Sequence, residues 1–414
     1  MTDYKNIIFF FLLYISLIIG FFLNENLNYG SYYDWVSVNL PPIKDFSTNF
    51  YDTLLSYEKY GHRHSPIYLI FLSFFLKLGL NSEILRLIHL HLSLSLIFIF
   101  YHCLKLHFKE INKYTLQILA FIIFLSPTFR SLSIWPDSRL PGLIFFTLSI
   151  YFFLKFLISL NYKYSWLCSI SLIIASYISP NFSLFAIYFY FIFYKKMKIS
   201  RFINLMLANL VASMPMVYYL FVLDVNFILV GKTPSLNMNS ASLNFNFSNK
   251  ILIISSIIFF HLIPIIFYLI DFKKFISFFK KKLIFIILGF LILFYFFNYQ
   301  LNFTGGGVIF QSSQIIFENN ILFFIISFFS LTILFYLSNI NISNFFIIFL
   351  TIISNIQNTI YHKYYEPLIL IMIFVLFKDL NYKNFFSNKK SLLFLYFYSL
   401  FFIFLRIIKN AYFV

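Results

Sequence analysis

Apolar runs of roughly 17 to 25 residues recur along almost the whole chain, the length a helix needs to cross a bilayer. Thirteen can be marked: 6–23, 84–104, 114–130, 140–158, 164–179, 181–194, 202–222, 251–270, 283–299, 321–338, 343–359, 366–378 and 391–407. Several are short or broken by proline, as at Ser179-Pro180-Asn181. The pattern predicts an all-α polytopic helical membrane protein with about 11–13 transmembrane helices. It reads as one integral membrane domain over 1–414, with a polar loop at 24–83, core helices at 84–222 and a more variable set of helices at 223–414.

The 24–83 stretch is the longest passage that a single span cannot absorb. It holds Glu25, Asp34, Asp45, Asp52, Glu58 and Glu83 out of fourteen acidic residues, and also His62, Arg63 and His64. Its apolar run at 66–80 decides the topology. If that run lies on the membrane as an interfacial helix, 19 of the 31 Lys and Arg face the cytoplasm and 12 face outward; if it crosses, the division is 10 and 21. Cytoplasmic loops carry the excess of Lys and Arg, so the first arrangement is expected and 24–83 becomes a large extracytoplasmic loop with interfacial helices.

Composition sharpens this only in part. With 61% hydrophobic and 11% charged residues, the chain lies outside the range of soluble domains. The net charge of +17 is accounted for by orientation signals in short loops, so no nucleic-acid partner follows. The 64 Phe match an AT-rich codon bias and carry little functional weight. Cys103 and Cys168 both fall inside apolar runs, which argues against a disulfide or a zinc framework.

Candidate chemistry gathers on the predicted outer face. Asp34 sits in Tyr32-Tyr33-Asp34-Trp35, where rings that exclude water can raise a carboxylate's proton affinity and suit it to general-base work, while Tyr33 and Trp35 can pack on a sugar. An interfacial aromatic belt around a solvated acid accounts for the same residues. Asp137 lies in Trp135-Pro136-Asp137-Ser138-Arg139, a short turn that holds its acid near the membrane; a helix-start cap is the plain alternative. His62, Arg63 and His64 offer donors to a phosphate at headgroup depth, or simply a basic surface on anionic lipid. Tyr361-His362-Lys363-Tyr364-Tyr365-Glu366-Pro367 opens the twelfth run, and Lys363 suits a phosphate or an interfacial position equally. There is no DxD pair and no HExxH. No cofactor is firmly implied, although a divalent metal is compatible with these residues.

In this order the positions resemble the GT-C superfamily of polytopic glycosyltransferases, which contains protein O-mannosyltransferases and the lipid A aminoarabinose transferase. His64-Ser65-Pro66-Ile67-Tyr68 is similar to the family's Pro-Pro-Leu-Tyr-Tyr stretch, Trp135-Pro136-Asp137-Ser138 to its Arg-Pro-Asp-Ala stretch, and Lys363-Tyr364-Tyr365-Glu366-Pro367 to its late Arg-Tyr-x-x-Pro stretch. The pattern covers about residues 1–200 and a patch near 355–380. The family's paired Asp-Glu after the first span is absent, with Asp34 alone and Glu25 distant; Trp135 and Lys363 stand where Arg is usual.

The resemblance implies an inverting transfer of a sugar from a polyprenyl-phosphate donor to a glycan, lipid or protein acceptor, on the extracytoplasmic side of a bacterial inner membrane. It implies Asp34 and Asp137 as the catalytic acids, with Tyr33, Trp35, His62, Arg63, His64, Trp135, Lys363, Tyr364 and Glu366 around the substrates. The competing class is a lipid-linked oligosaccharide transporter or flippase, or a glycan polymerase. Transport paths carry ionisable groups at membrane depth, whereas these spans are almost free of charge.

Overall fold

The structure, a computed structural model, describes residues 2–62, 64–225, 246–300, 305–355, 357 and 359–412; Arg63, a predicted phosphate ligand, lies outside them. The described residues are largely helical and contain no strand, in keeping with a polytopic helical membrane protein. They pack as two compact units, Met1–Ala241 with Phe402–Val414, and Ser242–Phe401.

In the first unit, α1 (Thr2–Phe22) is followed by short helical turns up to α2 (Leu40–Thr48), and then by α3 (Ile67–Lys77). The continuous helix α4 spans Ser82–His107. Next come α5 (Lys113–Leu125) and α6 (Pro127–Ile134), bent by 66° at Ser126. The pair α7 (Arg139–Ser159) and α8 (Tyr162–Ile178) precedes α9 (Ala186–Lys196) and α10 (Ile199–Val222). The second unit contains α11 (Phe247–Leu262), α12 (Phe272–Tyr295), α13 (Gly307–Phe317), α14 (Ile321–Ile340), α15 (Ile342–Ile353) and α16 (Leu368–Val375). The last helix, α17 (Lys389–Tyr412), begins in the second unit and ends in the first.

The abundant Asn serves the helix starts. Side-chain oxygens of Asn81, Asn112, Asn161 and Asn341 accept from N–H groups at the beginnings of α4, α5, α8 and α15, and Asp271 does so for α12. These donors have no partner within the helix, so a capping oxygen is worth about 1 kcal/mol. The α5–α6 bend has an equally local cause. Pro127 has no N–H to continue α5, and Ser126 Oγ instead accepts from Phe129 N at 3.0 Å to start α6.

Among the described residues, six helices are long and apolar enough to cross a membrane, or seven if the bent α5–α6 pair is one span. This corrects the expected 11–13. Runs 164–179 and 181–194, separated at Pro180 as expected, yield helices of only 17 and 11 residues, run 343–359 is helical only to Ile353, and run 366–378 yields the eight-residue α16. At 1.5 Å per residue α16 is about 12 Å long, against roughly 30 Å of hydrocarbon. Apolar length records what tolerates lipid, whereas a crossing helix must also satisfy its backbone groups within the bilayer. The eleven-residue α3, about 16 Å long, is too short to cross by itself.

Candidate functional site

The site in the first unit is built from three stretches: the turns at 30–39, the loop at 61–66 and the start of α7. Asp34–Asn39 forms a widened π turn. Pro41 and Pro42 follow it and lack the N–H groups that would bond one turn back, so the backbone there accommodates two missing donors. The turn places Asp34 and Asn39 toward the α7 start, with Trp35 buried between.

Arg139, the first residue of α7, is the centre. Its Nη2 lies 3.3 Å from Asp137 Oδ2 and 4.0 Å from Asp34 Oδ2. Its Nε donates to His64 Nε2 at 3.3 Å, so that nitrogen is the acceptor. Two carboxylates from distant parts of the chain thus share one guanidinium beside an imidazole. They differ in setting. The Asp137 side chain is 6% exposed and also accepts from Arg139 N at 2.9 Å, which fits the expected helix-start role. Asp34 is 28% exposed and held by the longer contact.

His62 completes the network. The His64 N–H, which can only donate, meets His62 Nδ1 at 3.2 Å, and His62 Nε2 donates to Asn39 Oδ1. Asn39 Nδ2 in turn donates to Pro136 O at 2.8 Å. Both ring nitrogens of a neutral His62 are therefore used, one as acceptor and one as donor. Burial lowers its pKa to about 4; Asp137 and Asp34 oppose this and Arg139 reinforces it.

The Trp135-Pro136-Asp137 turn is fixed from several sides. Arg86 lies 3.7 Å over the Trp135 ring and donates to Ile134 O at 3.2 Å, Tyr32 meets the ring edge-on at 4.9 Å, and the indole N–H donates to Glu25 O at 2.9 Å. Glu25 also grips Arg130 through two bonds of 2.6 Å. Trp135 and Trp35 are 3% and 2% exposed, so the two indoles are packing groups here, while Tyr33 is exposed. His89 accepts from Tyr68 and donates to Leu132 O, which makes it a satisfied core histidine.

The remaining predicted residues belong to the second unit. The Lys363 ammonium stands 5.4 Å over the Tyr361 ring, and Tyr364 donates to Gln357 at 3.1 Å. Glu366 is buried beside His362.

No family model, curated protein or solved structure matches the chain. Arg139 and Asn39 were not singled out by sequence. The available signal was an Arg two residues after an Asp at a helix start, which is also what a membrane-edge charge looks like.

Proposed function

We propose that this membrane protein is an inverting glycosyltransferase that uses a polyprenyl-phosphate sugar. The observation that supports this best is the pair Asp34 and Asp137 held around Arg139, with His62 and His64 alongside. Asp34, the more exposed acid, accepts the acceptor's hydroxyl proton. The acceptor oxygen bonds to the sugar's anomeric carbon as the bond from that carbon to phosphate oxygen breaks, and polyprenyl phosphate leaves with the electron pair. Asp137, anchored on the α7 N-terminus, positions Arg139, and Arg139 aims Asp34. A fixed positive group near the departing phosphate favours charge that develops in the transition state. A lipid-tailed donor has to be met near headgroup depth, which suits residues at the end of an apolar helix.

The test is sugar transfer or release by purified protein given labelled polyprenyl-phosphate sugars. Asp34→Asn is expected to lower the rate by roughly 10²-fold or more with normal insertion and elution. Full activity of that variant removes Asp34 from the role, and no turnover of any such donor by the wild type overturns the reading.

A further inference from the structure

His261 is the penultimate residue of α11, an apolar helix reading Ile-Leu-Ile-Ile-Ser-Ser-Ile-Ile-Phe-Phe-His-Leu from Ile251 onward. An ionisable side chain in such a helix needs a partner and usually marks a function. Its ring faces His362 with centroids 5.0 Å apart, and the two Nε2 atoms are separated by 3.1 Å. Glu366 Oε2 lies 3.8 Å from the same His362 nitrogen, and one donor atom from each of the three residues falls within 4.8 Å of the others. His362 and Glu366 are buried, and His261 is half-buried.

The segment carrying His362 is held by backbone and aromatic contacts. Gly306 N donates to Ile360 O at 2.8 Å, and Ile360 N donates to Tyr299 Oη at 3.1 Å. Phe260 packs edge-on against His362 at 5.7 Å, and Tyr398 donates to Phe260 O at 2.8 Å.

We propose that His261, His362 and Glu366 bind a divalent first-row transition-metal ion, zinc foremost. His362 Nε2 has a single in-plane direction, occupied by either a proton or a lone pair, yet an imidazole nitrogen and a carboxylate oxygen both approach it. One ion on that direction serves all three donors. Zinc–nitrogen and zinc–oxygen bonds of about 2.0–2.1 Å set neighbouring donors in a tetrahedron about 3.3 Å apart, between the two separations observed. Two imidazoles and one carboxylate leave a fourth position for water or a ligand, the donor set of catalytic rather than closed structural zinc. A calcium or magnesium site would call for mostly oxygen donors. This inference does not depend on sugar transfer, because its test needs no donor lipid.

Full-length protein in detergent, stripped with chelator and dialysed against zinc or cobalt, is assayed for bound metal by atomic emission and for the visible bands of tetrahedral cobalt. One equivalent is expected. His261→Asn and Glu366→Gln are each expected to weaken binding by more than the roughly 10- to 100-fold that loss of an outer-shell partner costs. His102→Asn, at an exposed histidine of α4, is expected to leave it unchanged. Zinc is also expected to raise the wild-type Tm and not that of His261→Asn, whose half-buried position makes it the variant best placed to fold. Absence of bound metal in the wild type, full binding in the two ligand variants, or equal loss in His102→Asn overturns the proposal.

Discussion

Arg139 joins more of the candidate site than any acid does, and it carries the first residue-level prediction. Arg139→Met leaves Asp137, 6% exposed, beside an apolar group, and stranding a buried charge costs roughly 3 kcal/mol. Thermal unfolding in detergent is expected to show the loss. Arg139→Lys is expected to recover only part of it, since an ammonium cannot reach two carboxylates and an imidazole with one planar fork. His62 carries a pH prediction. Its folded pKa, near 4, lies below the ordinary histidine value of 6.5. As pH falls through this window the unfolded chain takes up a proton that the folded chain refuses, so stability declines between about pH 6.5 and 4, by roughly 3 kcal/mol at most. His62→Gln is expected to flatten that part of the stability profile, whatever it does to overall stability. The acids were legible because polar residues are conspicuous in so apolar a chain. The burial of Trp35 and Trp135 was not, because an aromatic ring has the same signature whether it faces a sugar or a guanidinium.

At the scale of helices, the close approach of α7 to the end of α8 is set by Gly142. A Cβ there would come within 2.7 Å of Ser179 Cβ and 3.2 Å of the Phe182 ring. Gly142→Ala is expected to push the helices apart and to cost about 1–3 kcal/mol, read as a lower Tm. Because Gly142 is one turn from Arg139, the same change is expected to loosen the acid pair as well. Helix positions were largely readable from apolar runs: α1, α4, α7, α10, α14 and α17 all correspond to marked spans. Their lengths were less so: Pro127 breaks a helix inside the marked run 114–130, and the runs at 343–359 and 366–378 are helical over only part of their length.

At the scale of the molecule, the membrane character follows from the helices, and the orientation rests on the distribution of Lys and Arg. Cys103 and Cys168 are both fully buried, so the wild type is expected to be silent toward a membrane-impermeant maleimide. Against that background Thr48→Cys, at the exposed end of α2, is expected to react in intact cells, and Lys109→Cys, in the turn after α4, only after permeabilisation. The opposite pattern inverts the assigned sides. The packing of Trp135 against Arg86 and Tyr32 has an optical consequence. With Trp35 and Trp166 replaced by Phe, the protein retains one tryptophan, two residues from Asp137. Any displacement of that turn then registers directly in its fluorescence, without a label being introduced.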